Sequence, residues 1–278
     1  VDELMRWATD VELSGRYADP ALDRALRLAV ADVFLVRNDF APALKVLDEL
    51  LPQLQSALPR ERLKAQVGRA RALYRLGKLP EAEAAIAAGA AETLSEHGFL
   101  AAQLKIYEGE IARTLGQTER ARTAAIEAVR RVETARDASP QLKGMVLSSA
   151  GTGVMQLGEL ELAQQFSQQA IAIWEQGKVR RTAFENNTHV SFANILFLRG
   201  EVLTASAAFV AIDRDAPVDE STPARAARKT GQAKALALLG RAEQALSMAE
   251  SARQAMCALG ETSLDCVSMT VSAADTAQ

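Results

Sequence analysis

The seven residues Leu76-Gly77-Lys78-Leu79-Pro80-Glu81-Ala82 read as the close of one helix and the opening of another. Upstream, Leu63, Val67, Ala70, Leu73 and Tyr74 recur at helical spacing. Gly77 stops that helix, because the left-handed residue that follows a last turn costs least at glycine. Pro80 stands in the first turn of the next helix, where its missing N–H leaves no bond unmade. Ala82 falls one turn further in, where only a small side chain lets two antiparallel helices close.

The same Gly-to-Ala step recurs along the chain as Asn38/Ala43, Gly77/Ala82, Gly116/Ala121, Gly158/Ala163, Gly200/Ala205 and Gly240/Ala245. Successive copies lie 39, 39, 42, 42 and 40 residues apart. A fixed period of this size marks a solenoid of stacked helical hairpins. The spacing predicts an all-α chain with repeats at approximately 20–58, 59–98, 99–138, 139–178, 179–221 and 222–260. A leading helix is expected at 2–17 and a trailing one at 263–275. The trailing helix would place Leu264, Val267 and Val271 on one face, as a cap or as a truncated repeat.

The joints carry their own signals. Asp19-Pro20, Ser139-Pro140 and Thr222-Pro223 each pair a capping side chain with a proline at the first helical position. Leu58-Pro59, Gly98, Gly177 and Gly260 mark the rest. Pro52 should kink or end the second helix of the first repeat. The polar stretch from Asp213 to Thr222, with Pro217, should shorten the second helix of the fifth.

Composition sets limits on function. In 278 residues the net charge is −3, which favours neither a nucleic-acid binder nor a polyanion mimic. No apolar run is long enough to span a membrane. Beginning at Val1 without a visible targeting sequence, the chain reads as a segment or processed product of a larger bacterial protein. It is expected in the cytoplasm, with the periplasm as the alternative. Cys257 and Cys266 are too few for a disulfide framework. They flank the turn at Gly260, so an oxidising compartment would allow one bridge; otherwise they are small buried apolar groups.

The turn segments at Leu76–Ala82 and Leu157-Gly158-Glu159-Leu160-Glu161-Leu162-Ala163 resemble those of tetratricopeptide repeats (TPRs). In the fourth copy Leu147, Ala150, Gly151 and Val154 match the family's first-helix packing positions, and Ala163 and Ala170 its small second-helix positions. The resemblance covers residues 20 to 260, with degenerate first, fifth and sixth copies. The period exceeds the family's usual thirty-four and is similar to the longer variant in regulatory arms of bacterial transcription factors, cyclases and kinases. HEAT repeats share the length but not the turn. The resemblance implies a right-handed superhelix whose inner wall is made by the first helix of each repeat. It also implies capture of extended peptides or helices there, rather than chemistry.

Against that frame, Arg60, Lys64, Arg71 and Arg75 fall within roughly sixty degrees on one helix, with Gly68 in the gap and Val67 and Tyr74 beside them. The TPR alignment points this stripe into the groove, as a docking line for acidic side chains; the same pattern also describes a solvated helix face. Asn187, Ser191 and Asn194 occupy the corresponding line of the fifth repeat, beside Val190 and Phe197. There the amides would hold a peptide backbone, and plain surface polarity fits equally. Phe184, Phe192 and Phe197 are expected to pack between repeats. The matching inner-wall position in the six repeats reads Asp32, Arg71, Glu110, Thr152, Asn194 and Lys234. That lining is mixed in sign, without the continuous basic track of a nucleic-acid groove. Of the family's carboxylate clamp only Asn194 is present.

Signals for chemistry are absent. His97 and His189 lack carboxylates or thiols at metal-ligand spacing. His97 precedes an apparent helix-ending glycine, and His189 sits among apolar residues. Gly151-Thr152-Gly153 lies inside a helix and is not a phosphate loop. The sequon Asn186-Asn187-Thr188 also falls within a helix. No enzymatic activity, cofactor or metal is expected. The partner is expected to be a protein or peptide, acidic where it meets the stripe. A sensory arm binding a small molecule or signal peptide is the alternative, and self-assembly through an uncapped end a third reading.

Overall fold

A computed structural model describes residues 19–54, 59–93, 97–176, 183–216 and 222–258. The expected leading and trailing helices, Gly177, Pro217, Gly260 and Cys266 lie outside the described residues. Those described form twelve α-helices, one 3₁₀ turn and no strand. The helices are α1 (Pro20–Val36), α2 (Phe40–Leu50), α3 (Pro59–Arg75), α4 (Leu79–Ala91), α5 (Gly98–Thr114) and α6 (Thr118–Thr134). They continue as α7 (Pro140–Gln156), α8 (Leu160–Gln176), α9 (Ala183–Leu198), α10 (Val202–Asp215), α11 (Thr222–Leu238) and α12 (Ala242–Cys257). The chain divides into two compact units between Leu142 and Lys143, within the first turn of α7.

All six turn residues picked out by the repeat adopt the left-handed conformation, from Asn38 at φ 63° to Gly158 at φ 83°. The following N–H then reaches back to the carbonyl five residues earlier, as in Lys78 to Leu73 at 2.9 Å and Gln117 to Ala112 at 2.8 Å. This bond satisfies a carbonyl that the helix end would otherwise leave open. The six turn alanines are all buried, five of them completely. Asn38 is the one non-glycine among them. Asn38→Gly is therefore expected to raise the thermal midpoint slightly, and Gly116→Ala to lower stability by about 1 kcal/mol through backbone strain alone, since open space surrounds its missing Cβ.

In the first unit α1, α3 and α5 pack side by side as one layer. Helix α2 lies on α1 and α3, and α4 on α3 and α5, while α6 packs against α5. Leu63, Ala70 and Leu73 of α3 enter one core with Ala43, Ile86, Leu104 and Ile111. At two joints the capping side chain bonds as expected: Asp19 accepts from the Ala21 N–H at 2.8 Å ahead of Pro20, and Ser139 from the Leu142 N–H at 3.3 Å ahead of Pro140, whereas Thr222 is itself the first residue of α11. Pro52 follows the end of α2, within the 3₁₀ turn Leu51–Leu54. Gly98 departs from expectation. It begins α5 rather than ending a helix, with buried His97 as the preceding cap residue. A Cβ there would lie 2.7 Å from that of Ala135, so this glycine permits a close approach rather than a turn. Gly68 likewise is no gap in a groove: it is buried against Leu35 and Leu47.

In the second unit α9 packs on α8, α10 and α11, and α11 on α10 and α12. Helix α10, at 14 residues, is shorter than the 17-residue α8, as the polar stretch after it implied. Trp174 of α8 lies where a Gly144 Cβ would come within 2.2 Å of its indole nitrogen. Gly144→Ala is expected to cost about 1–3 kcal/mol by overpacking, measured by urea denaturation. Phe184 meets Trp174 edge to face at 6.0 Å, bridging two repeats. Phe192 and Phe197 lean instead on the core of their own hairpin. Asn186 is fully buried, which places the sequon beyond a glycosyltransferase. Cys257 is half-buried and disulfide-bonded.

Candidate functional site

The first-helix layer of the first unit carries most of the residues picked out by the stripe, and each has a local partner that defines what it can still do. Lys64 pairs with Asp32 of α1 at 2.6 Å, an exposed contact of small energetic weight that nonetheless neutralises this end of the stripe. Arg71 is half-buried and donates from Nη2 to the Leu35 carbonyl at 3.0 Å, near the C-terminus of α1. A cation suits that end of a helix, and the bond uses one of the guanidinium's five N–H donors. Arg75 is exposed, its guanidinium carbon 5.1 Å above the centre of the Phe40 ring. Among the described residues neither Arg75 nor exposed Arg60 has a carboxylate partner.

Helix α5 supplies the other half. The Tyr74 hydroxyl donates to Glu110 Oε2 at 3.1 Å. Arg113 donates to the same oxygen at 2.9 Å and to the Tyr74 hydroxyl at 3.4 Å. Between these groups sits Tyr107, packed against the core of α3 and α5. Burial pushes its phenol above the usual tyrosine range; the charges of Arg71 and Arg75 draw it back, and Glu110 pushes it further up. The result is a cluster of two arginines and two tyrosines, with Arg75 over a phenylalanine and Glu110 already engaged by Arg113. Such a surface can stack on an apolar or aromatic side chain and offer N–H donors to a carboxylate.

Tyr107, Arg113 and Phe40 were missed by the sequence reading. Arg113 stands 39 residues after Tyr74, in the matching place of the next repeat, so reading that position as well would have found it. Phe40 precedes the first turn alanine and gave no comparable signal.

In the second unit Asn187 is exposed and Ser191 and Asn194 half-buried along α9. Asn194 turns its Oδ1 to within 2.9 Å of where a Gly231 Cβ would be. It thus packs at the seam of α9 and α11, which leaves Asn187 the more accessible amide. Thr152 is half-buried on α7. Among the described residues no three of His, Cys, Asp and Glu gather into a metal site, and no helix is long and apolar enough to cross a membrane. His189 is half-buried rather than fully enclosed.

Left-handed turn, buried alanine and two-layer hairpin together define a TPR-like helical solenoid. No protein-family model matches the chain, and no curated protein matches it. Solved structures do. A Rap protein complexed with competence and sporulation factor aligns over 99% of this chain and 80% of its own, with TM-score 0.67 and 12% identity. BtubC from P. vanneervenii aligns over 77% and 88%, with TM-score 0.60 and 19% identity. A tetratricopeptide repeat protein from Parabacteroides merdae aligns over 98% of both chains, with TM-score 0.59 and 13% identity. At these identities the likeness is one of fold.

Proposed function

We propose that this chain is a protein-interaction module whose first-unit face, centred on Arg71, Arg75, Tyr74 and Tyr107, captures an acidic segment of a partner protein. It would serve as the regulatory arm of a larger bacterial protein, without chemistry of its own. The observation carrying this reading is Arg75, held over Phe40 and without a carboxylate partner among the described residues. Asp32 and Glu110 on the same layer make the face mixed in sign, which disfavours a nucleic-acid backbone and favours one short acidic patch. Because the cluster is pre-formed, little conformational freedom is lost on binding. In the second unit, taken by itself, Asn187 with Ser191 beside it would hold a peptide main chain. The test is an array of acidic peptides probed with the full chain. Strong spots should fade with added salt and with Arg75→Glu; spots indifferent to both would refute the reading.

A sensory arm that binds a small molecule or signal peptide and controls an attached output domain is the second reading, favoured by the alignment over 99% of this chain with the Rap protein complexed with competence and sporulation factor. As for compartment, the bond at Cys257 favours an oxidising one, hence the periplasm over the cytoplasm. Thiol labelling of protein taken directly from cells should then find Cys257 blocked until a reductant is added.

A further inference from the structure

Each unit has a cleft on the far side of its first helix from the inner-wall position, and the two differ in a way that points to a ligand. In the first unit the cleft, of 430 Å³, lies between α2, α3 and α4. Its cations are spent internally: Arg69 pairs with Asp48 at 2.7 Å and Arg62 with Glu92 at 2.9 Å. In the second unit the cleft, of 620 Å³, lies between α10, α11 and α12. Lys229 of this cleft stands 163 residues after Gln66 of the other, the same offset that carries Ala82 to Ala245. On a helical wheel Lys229, Gln232 and Leu236 lie about 140–200° from Lys234, which holds the inner-wall position.

Aligning the hairpins by their turn alanines shows what has changed. Asp48 is replaced by Val210, Glu92 by Ala255 and Arg69 by Gln232. The wider cleft thus loses both neutralising carboxylates. Of its lining residues Lys229 and Arg241 are cationic and Glu243 alone is acidic. Among the described residues the Lys229 amine donates only to the Ser251 hydroxyl, at 3.2 Å, and Arg241 is exposed with no carboxylate partner. Along the floor run Val210, more than half exposed, and Met248. The amides of Gln232 and Gln244 stand beside them as paired donors and acceptors. Arg241 precedes α12 and Ser251 lies ten residues on, so the trough is about 15 Å long.

We infer that this cleft of the second unit binds an extended acidic peptide of about four to five residues, the length that spans it at ~3.3 Å per residue. A carboxylate of the peptide meets Lys229 at the Ser251 end. An apolar side chain lies on Val210 and Met248, and the main chain bonds to the glutamine amides. Glu243 beside Arg241 makes the opposite end mixed in charge, so the acidic residue is specified at the Lys229 end. This site stands apart from the arginine face of the first unit and does not rest on it.

The experiment uses the full chain and an array of acetylated pentapeptides that carry glutamate at one position and leucine two residues on. Copies with lysine in place of glutamate serve as controls. The tightest glutamate peptide is then labelled and followed by fluorescence anisotropy. Lys229→Glu is expected to weaken it about tenfold or more. Val210→Asp, which restores the carboxylate that Asp48 provides in the first unit, should do the same; its position is exposed, so the fold is kept. Arg71→Gln with Arg75→Glu is run in parallel to sort peptides held by the first-unit face from those held by the cleft, and Arg130→Glu, on an exposed cation outside both sites, should leave the affinity unchanged. The inference is overturned if lysine copies bind as well as glutamate peptides, or if both cleft variants keep full affinity. If the loss follows Arg71 and Arg75 instead, the cleft is discarded and the first-unit face retained.

Discussion

Truncation of Phe209 to alanine is expected to destabilise the second unit by about 3–5 kcal/mol, the range for a fully enclosed phenylalanine. The ring is 0% exposed and forms the centre of a core with Val190, Ala193, Leu196, Ala205 and Ile212. Helix α11 lies directly on it: a Cβ on Gly231 would stand 2.6 Å from the ring edge. The vacated volume would therefore sit beneath a helix held there by the absence of a side chain. Val210→Ala, one residue along α10 on a 56% exposed side chain, should shift stability by only about 0.5 kcal/mol. Urea unfolding of the two variants makes the comparison. Equal midpoints would mean that Phe209 is not the keystone of this core.

That contrast was partly legible beforehand. The repeat places Ala205 one turn before Phe209, and Ala205 is buried in the same core. What a single strand of letters gives well is local: left-handed turns, buried closing alanines and proline starts, because each depends on residues within one turn of one another. Gly98 shows the limit, since its glycine is required by Ala135, 37 residues away, and not by its own backbone. The basic stripe shows the same limit more sharply. Position on the α3 wheel was readable, but Asp32, Leu35 and Glu110 reach it from helices one repeat before or after. Those contacts and the Phe40 ring turn a row of four cations into one neutralised lysine, one anchored arginine, one arginine stacked on a ring and, at Arg60, one without a carboxylate partner among the described residues.

This distribution shapes the second large effect, the loss of acidic-peptide capture on removing Arg71 and Arg75. A glutamate at position 71 would face the Leu35 carbonyl that Arg71 now satisfies, so a fall in binding could reflect damage to the joint between α1 and α3. Arg71→Gln keeps a donor there while removing the charge. Arg75→Glu loses a stacking contact worth about 0.5–1 kcal/mol at an exposed site, and little else. The combined variant is expected to bind the acidic peptides held by this face about tenfold more weakly or worse while unfolding as a cooperative unit. Tyr107 gives an independent check. Both arginines hold its phenol down against burial, so the variant should ionise at higher pH, read by absorbance difference against Tyr107→Phe. A folded pKa above the unfolded value means that the native state keeps its proton longer. Stability contributed there is present below about pH 10 and is lost as pH rises through the folded pKa, over a wider interval in the variant. If Tyr107 shifts as expected while peptide affinity stays at the wild-type level, the charges have been removed without consequence, and this face is not the docking site.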